Sequence, residues 1–466
     1  MSSLPNTTDH EIDSAWIDPA WIAFSRSENI RELISDFHGF AQGLGFQPPE
    51  SAEQVITDLM SVPLQSSFES LFDHRSPYQP GTQELISAFI VRGLDYRGIP
   101  ATETQWALDY LSSRVRPDSP LHAYTLHHQC QRWVWEGQPA TALKILDDFE
   151  SAASAPKNEV LKLWQQALID SVRGFALMEL GNFRGATEFL QNSLKISQGL
   201  DFALQESVQF TLGSMFRESC QPQKAIELWY EPQRIQRMES ASEWPRLVAT
   251  HLNACRCAID LKDASTALHA LEKAEHYLPH IQDRYPRLVG YRHLRRGELC
   301  TLEEDYATGE AMLISAIEHF EISDPPCPEG WLEARLSLGQ YALLQNNLPL
   351  AWAIVKKLVE EANEMGHIRL RSQALLMQTW FFVSESPPAE DSYQQTLDQV
   401  QMIHNPALLF HAFNNLLNYS VNHLGEQEAG KLREKMASLR SRLTETNYQQ
   451  LIEKHHPNGL HETNPQ

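Results

Sequence analysis

Small residues return along this chain at two linked positions, and that recurrence restricts the fold more than any other feature. One series is Ala142, Ala186, Ala225, Ala267, Gly309, Ala351, Tyr393 and Gly430, separated by 44, 39, 42, 42, 42, 42 and 37 residues. Twelve residues before each lie Cys130, Gly174, Gly213, Cys255, Gly297, Gly339, Phe381 and Asn418, six of them Gly or Cys. Each linked pair sits in an apolar run, a short polar turn and a second apolar run, as in LGSMFRESCQPQKAIELW from residue 212 and RGELCTLEEDYATGEAML from residue 296. Self-similarity at a period of this size marks stacked helical hairpins. Gly inside a helix costs about 1 kcal/mol against Ala, so Gly213 must be compensated. Close approach of two antiparallel helices supplies the compensation, because only a missing side chain lets the backbones meet. Leu190, Trp229, Leu271, Leu313 and Val355, four residues beyond the second small site, are read as filling the space toward the next repeat.

The remaining patterns agree with an all-α chain. No sustained polar–apolar alternation of the kind a half-buried strand shows is present. A length of 466 residues exceeds one ordinary compact core, which points to several domains or one elongated array. A formal net charge of −22 excludes nucleic acid as a direct partner, since phosphate binding needs a cationic footprint. The opening MSSLPNTTDHEIDSAW lacks the basic and apolar regions of a signal peptide, and no run reaches the ~18 apolar residues of a membrane span. Six scattered cysteines form no disulfide framework, so reduced thiols and a cytoplasmic location are expected.

Catalytic and metal signatures fail on context. GEQEAGK at 425–431 has phosphate-loop spacing, but Leu432 stands where Ser or Thr should hold magnesium, and the preceding FHAFNNLLNYSVNHL reads as helix rather than strand. Cys255 and Cys257 point to different faces of one helix and lack a second Cys/His pair at zinc spacing, so they read as core thiols. His122, His127 and His128 cluster near Trp133 and Trp135 without a carboxylate or Cys at ligand spacing. His455, His456 and His461 lie in the tail. No nucleophile elbow, zincin or dinucleotide fingerprint occurs. No enzyme activity, cofactor or metal is expected.

The stretch 212–229 carries Leu212-Gly213, a late aromatic at Phe216, Ala225 and the bulky Trp229, and in this it resembles the tetratricopeptide repeat family. The period near 42 is similar to the longer-helix version in bacterial regulators of the maltose-activator type. The resemblance covers residues 120–443 as about eight hairpins. It is strongest at 160–198, 203–236, 287–320 and 331–363, and weakest at 120–150, 368–402 and 406–443, where Phe381 and Tyr393 replace small residues and SESPPAEDSY inserts prolines and acids. It implies a right-handed superhelical solenoid of antiparallel helix pairs whose first helices line a concave groove. Residues 81–119 read as a degenerate helical pair. Residues 1–80, with 12 acids against 3 Arg, read as an irregular acidic helical cap, and 444–466 as a helix end and disordered tail.

One cluster points to a ligand. Arg284, Arg287, Arg292, Arg295 and Arg296 fall in thirteen residues without an acid. Members of the family that grip a peptide's C-terminal carboxylate place Asn or Arg two residues before the small site, and here those positions are Asn253 and Arg295. The clamp's Lys and second Asn are replaced by Phe210 and Ser214, and Tyr291 stands in for another Lys. Asn253, Tyr291, Arg292 and Arg295 are therefore the candidate partner-binding residues, for an acidic or carboxylate-bearing peptide or protein segment. The competing reading is a solvated basic helix pairing with Glu303, Glu304 and Asp305. The function implied is a non-enzymatic scaffold or regulatory protein that binds a peptide or protein in its groove. The alternative is a sensor of a small molecule or peptide that modulates a transcription or signalling partner. A module hidden in residues 1–115 is a third reading without a motif behind it. The sequence leaves the oligomeric state open.

Overall fold

The computed structural model describes residues 101–439, except 116–119, 136–137, 153–158, 199, 240–243, 283–284, 324–326, 366–367, 384–389 and 404. The acidic cap read over 1–80, the start of the degenerate pair and the tail read over 444–466 lie outside the described residues. Among the described residues every regular element is helical: eighteen α-helices and two 3-10 turns. The chain forms two compact units, residues 1–126 with 154–165, and residues 127–153 with 166–466. The first contains α1 (Ala101–Arg114), the start of α2 (Pro120–Trp135) and the start of α4 (Glu159–Glu179), with α3 (Pro139–Ala152) falling in the second. Within the first unit Leu108 and Leu111 are buried and Tyr124 stacks on Trp164 at 6.0 Å between centroids.

The second unit is a run of helix pairs. The end of α2 meets α3, where the Cys130 thiol reaches the Ala142 carbonyl at 3.9 Å. The end of α4 pairs with α5 (Phe183–Ser197), and α6 (Phe202–Glu218) with α7 (Pro222–Trp229). A short α8 (Pro232–Met238) follows. Then α9 (Trp244–Asp260) pairs with α10 (Ala264–Tyr277), α11 (Pro286–Leu302) with α12 (Tyr306–Ile322), and α13 (Pro328–Leu344) with α14 (Leu348–Glu364). The last pairs are α15 (Ile368–Trp380) with α16 (Glu390–Val400), and α17 (Pro406–His423) with α18 (Glu426–Leu439).

Six of the turns inside these pairs share one backbone device. Gly181, Cys220, Lys262, Glu304, Asn346 and Gly425 all adopt φ between 57° and 92°, and each stands five residues before the second small site. The left-handed residue stops the first helix. In five of these turns the next N–H then returns to a carbonyl five residues back, as from Asn182 to Leu177 and from Asp263 to Ala258. That same next residue caps the second helix wherever it is Asn or Asp: Asn182, Asp263, Asp305 and Asn347 each accept a bond from the N–H three positions on. The tight reversal holds the two helices antiparallel.

The small sites are where the paired helices touch, but the bulky residues do not fill the space toward the next repeat. They pack back onto the small site of their own pair. A Cβ on Gly174 would lie 2.6 Å from Leu190 Cγ, one on Gly297 2.8 Å from Leu313 Cγ, and one on Gly213 2.8 Å from Trp229 Cδ1 and closer still to its Nε1. Trp229 is fully buried and its indole N–H donates to the Phe210 carbonyl at 3.3 Å. Gly309 serves the neighbouring pair instead: Tyr341 of α13 fills the place of its side chain and donates its hydroxyl to the Gly297 carbonyl at 2.5 Å.

Three pairs depart from the common pattern. In the seventh pair buried Phe381 and Tyr393 replace the small residues, and the crossing is filled by ring contacts: Trp352 with Phe381, Phe382 with Tyr393, and Tyr393 with Tyr419. In the eighth, Asn418 is exposed and a Cβ on Gly430 meets nothing, whereas Ala429 is fully buried, so the register moves by one residue. In the third, Pro232 lacks the N–H to continue a helix, and α7 ends after eight residues. Fully buried Arg234 then donates to the Trp229 carbonyl at 2.9 Å, reaches Thr250, and pairs with fully buried Glu206 at 2.8 Å. GEQEAGK is the turn at Gly425 and the start of α18, entered from a helix, which is not phosphate-loop geometry.

Candidate functional site

Helical periodicity sorts the first helix of each pair into two working faces. The face bearing the small site meets the second helix. Positions six and two before that site and one and five after it share another face, since steps of four, three and four return to one side of a helix. The residues at these positions that turn to a common space are Ser207, Thr211, Ser214 and Glu218 on α6, Ala249 and Asn253 on α9, Tyr291 and Arg295 on α11, and Glu333 on α13. All of them line one cavity of about 430 Å³ within the second unit, together with Phe175, Met178 and Glu179 of α4 and Ile368, Arg369 and Leu370 of α15. The first helices of seven consecutive pairs, from the first, through Gln131 and Val134 of α2, to the seventh, thus contribute to a single space.

Ions cross that space. Arg369 reaches Glu329 and Glu333 of α13, the latter at 3.4 Å, and also Glu218 of α6 at 3.6 Å, a partner four pairs earlier in the array. Asn405, which caps α17, donates to the Glu218 carbonyl at 3.0 Å, and Cys220 packs against the core of the last pairs. The array therefore curves far enough to bring its seventh and eighth pairs onto its third. Glu218 is also held by Arg217 at 2.5 Å. Burial alone would raise its carboxyl, but Arg217 and Arg369 outweigh that and hold it near 2. Glu333 receives Arg256 and Arg295 as well, the latter at 3.1 Å. Burial, with Arg217 and Arg295 beside it, lowers the Arg256 guanidinium to about 10.

The four residues singled out from sequence are not brought together. Asn253, Tyr291 and Arg295 line the cavity. Asn253 accepts a bond from Arg217 at 3.4 Å, and Tyr291 lies 3.7 Å from the Cys327 sulfur. Arg295 is only 2 % exposed and is taken up by Glu298 at 2.5 Å and Glu333 at 3.1 Å, so it is no free cation awaiting a carboxylate. Arg292 points the other way and bonds Glu275 of α10 at 2.7 Å, because three residues before Arg295 is a different part of the helix surface. Arg284 lies outside the described residues, and Arg287 lines the cavity as an exposed side chain. Neither reading of the basic stretch holds whole: part of it is groove floor, and its acids come from α10, α11 and α13 rather than from Glu303, Glu304 and Asp305.

Sequence reasoning missed Glu179, Arg217, Glu218, Glu333 and Arg369. The register that picks out Asn253 and Arg295 also reaches Glu179, Glu218 and Glu333 at the other positions of the same face. Arg369 carries no such signal, since its pairing with Glu218 joins residues 151 apart in sequence. The thiols behave as core: burial pushes Cys255 and Cys257 to about 12. His127 is buried, its Nδ1 2.9 Å from the Leu168 carbonyl.

No protein-family model and no curated protein sequence matches this chain. Its fold does match solved structures. A Rap protein complexed with Competence and Sporulation Factor is similar with a TM-score of 0.57 and 11% identity, over 78% of this chain and 99% of that one. NprR in complex with its cognate peptide NprX is similar with a TM-score of 0.55 and 11% identity, over 76% of this chain and 98% of that one. At such identity the likeness speaks for architecture alone, and the architecture is an all-α helical solenoid of the tetratricopeptide type.

Proposed function

We propose that this chain is a non-enzymatic peptide receptor that regulates a partner according to what its groove holds. The cavity built from seven successive first helices is the observation that carries the reading. A stacked array offers an extended concave wall, and this one mixes hydroxyls and amides (Ser207, Thr211, Ser214, Asn253) with aromatic surface (Phe175, Phe210, Tyr291), the combination that serves an extended peptide backbone and its side chains. The peptide in NprR and the factor in the Rap protein support it by likeness of fold. Arg292 and Arg295 no longer call for an acidic ligand, because both are paired within the protein. A regulatory role is favoured by the contacts of α15 and α17 with α6: a ligand entering between them acts on the curvature of the array. The reading places the protein in the cytoplasm, which six unpaired thiols support, and no helix of the described residues is long and apolar enough to cross a membrane.

The test is a block of the groove. Ser214 lies on the cavity wall and is half-buried. Ser214→Trp is expected to abolish retention of peptides from a random pool while the far-ultraviolet dichroism stays helical. Peptides retained equally by both proteins would move the site elsewhere.

A further inference from the structure

Eight charged side chains line the cavity, and six of them are consumed by one another or by Glu298 and Arg256. Two remain, Glu179 on α4 and Arg287 on α11, of opposite sign. Among the described residues neither has a hydrogen bond or an ion pair. An ion already paired inside the wall gains less from an incoming charge than an unpaired one, because its partners already offset part of its field.

We propose that Glu179 and Arg287 are the two charge anchors of the groove, Glu179 taking a cationic group and Arg287 an anionic group of one short peptide. The proposal rests on the peptide-receptor reading and specifies its ligand: a peptide carrying both signs, through its termini or its side chains. Both anchors open on the same 430 Å³ cavity, which suits a ligand of a few residues. Glu179 feels Arg369 and Arg217 nearby but forms an ion pair with neither. It is half-buried, and burial pushes its carboxyl up to about 7, with Glu218 of α6 and Glu329 of α13 adding to the rise and Arg369 of α15 and Arg217 of α6 opposing it. Burial thus favours its protonated form more than in an ordinary carboxyl. An ammonium or guanidinium beside it supplies the missing counter-charge and displaces that proton to solvent. Arg287 is exposed at the wall and offers the planar fork that pairs with a carboxylate.

The full chain, Glu179→Gln and Arg287→Gln are immobilised at pH 7 and each is offered one random pentapeptide library in four forms: free-ended, N-acetylated, C-amidated and doubly blocked. Retained peptides are read by mass spectrometry, and dichroism checks that each variant folds. For the unaltered chain, doubly blocked peptides lacking both Lys/Arg and Asp/Glu are expected to be retained at least about tenfold less than the rest. Glu179→Gln should lose the selection for a cation and keep that for an anion; Arg287→Gln should do the reverse. Calorimetry of the best-retained peptide in two buffers of different ionisation heat should show proton release on binding at pH 7, absent in Glu179→Gln. Retention of peptides with the same charge selection in all three proteins would overturn the anchors while leaving the receptor reading intact. Failure of the unaltered chain to retain any form would overturn the receptor reading, and the anchors with it.

Discussion

The contact between Gly213 and Trp229 makes a quantitative demand on stability. Gly213→Ala gains about 1 kcal/mol of helix propensity. It also sets a methyl group against the buried Trp229 indole, well inside van der Waals contact, and overpacking of that kind costs roughly 1–3 kcal/mol. The net expectation is a loss of about 1 kcal/mol, so a substitution that ought to be mild is not, and Gly213→Leu should lose more still. Trp229→Leu alone leaves a void and removes the bond to the Phe210 carbonyl, at a cost of about 3 kcal/mol. Combining Gly213→Ala with Trp229→Leu has a precedent in this chain: fully buried Cys255 and Leu271 occupy the same two positions in the fourth pair and share one core. A small side chain on the first helix and a leucine on the second should therefore coexist, and the double variant should lie above the sum of the single losses by at least about 1 kcal/mol. Urea unfolding of the four proteins, followed by helical dichroism, measures the cycle. Losses that add within about 0.5 kcal/mol, or a Gly213→Ala variant that simply gains stability, would show that the glycine is not there to admit the tryptophan.

Glu304→Gly should stabilise by about 0.5–1 kcal/mol in the same assay, because Glu304 holds φ of 58° in an exposed turn where only glycine is unstrained. Burial holds His127 at about 4 and His251 at about 3, below the 6.5 of an unfolded histidine. A lowered base must stay neutral in the folded state, so its contribution is complete above pH 6.5 and is lost as pH falls toward 4, by about 3 kcal/mol for His127; a stability-against-pH curve that is flat over that window in the unaltered chain would refute this. Arg295→Ala should destabilise by roughly 3 kcal/mol, since it strips a partner from buried Glu333 and from Glu298. Arg292→Ala, which breaks only a third-exposed pair with Glu275, should cost about 0.5 kcal/mol.

How much the sequence disclosed depends on the distance over which each feature is encoded. A hairpin is local. Gly174, Gly213 and Gly297 and the bulky residues that meet them lie within twenty residues of one another, so the requirement for close approach is written in the spacing itself. The six left-handed turns are equally local but hidden in identity, since Cys220, Lys262 and Glu304 are not residues that announce a positive φ. Where the crossing is filled by rings, at Phe381 and Tyr393, the small-residue signal vanishes although the helix pair is still there. Pro232 encodes the break after Trp229 locally, although the reading of 203–236 as one hairpin passes over it; that a buried arginine caps the freed carbonyl depends on Glu206 and Thr250 arriving from other helices.

The groove is a harder case, because a helix face is local while the charge state of that face is collective. The basic stretch from Arg284 to Arg296 counts as five cations on paper, yet Arg295 shares Glu333 with Arg256 and Arg369, which come from three different helices in all. A row of isolated arginines would stay solvated and mobile, and each would have to be ordered when a ligand arrived. Arginines locked to Glu218, Glu298 and Glu333 are ordered beforehand at the expense of desolvating both signs, and they leave the wall close to electrically balanced. In such a wall selectivity passes from the many paired charges to the few unpaired ones. On the receptor function proposed above, a peptide in this groove would be discriminated by hydroxyl, amide and ring contacts along the wall and by single charges at its unpaired positions, rather than by the net sign of the Arg284–Arg296 stretch.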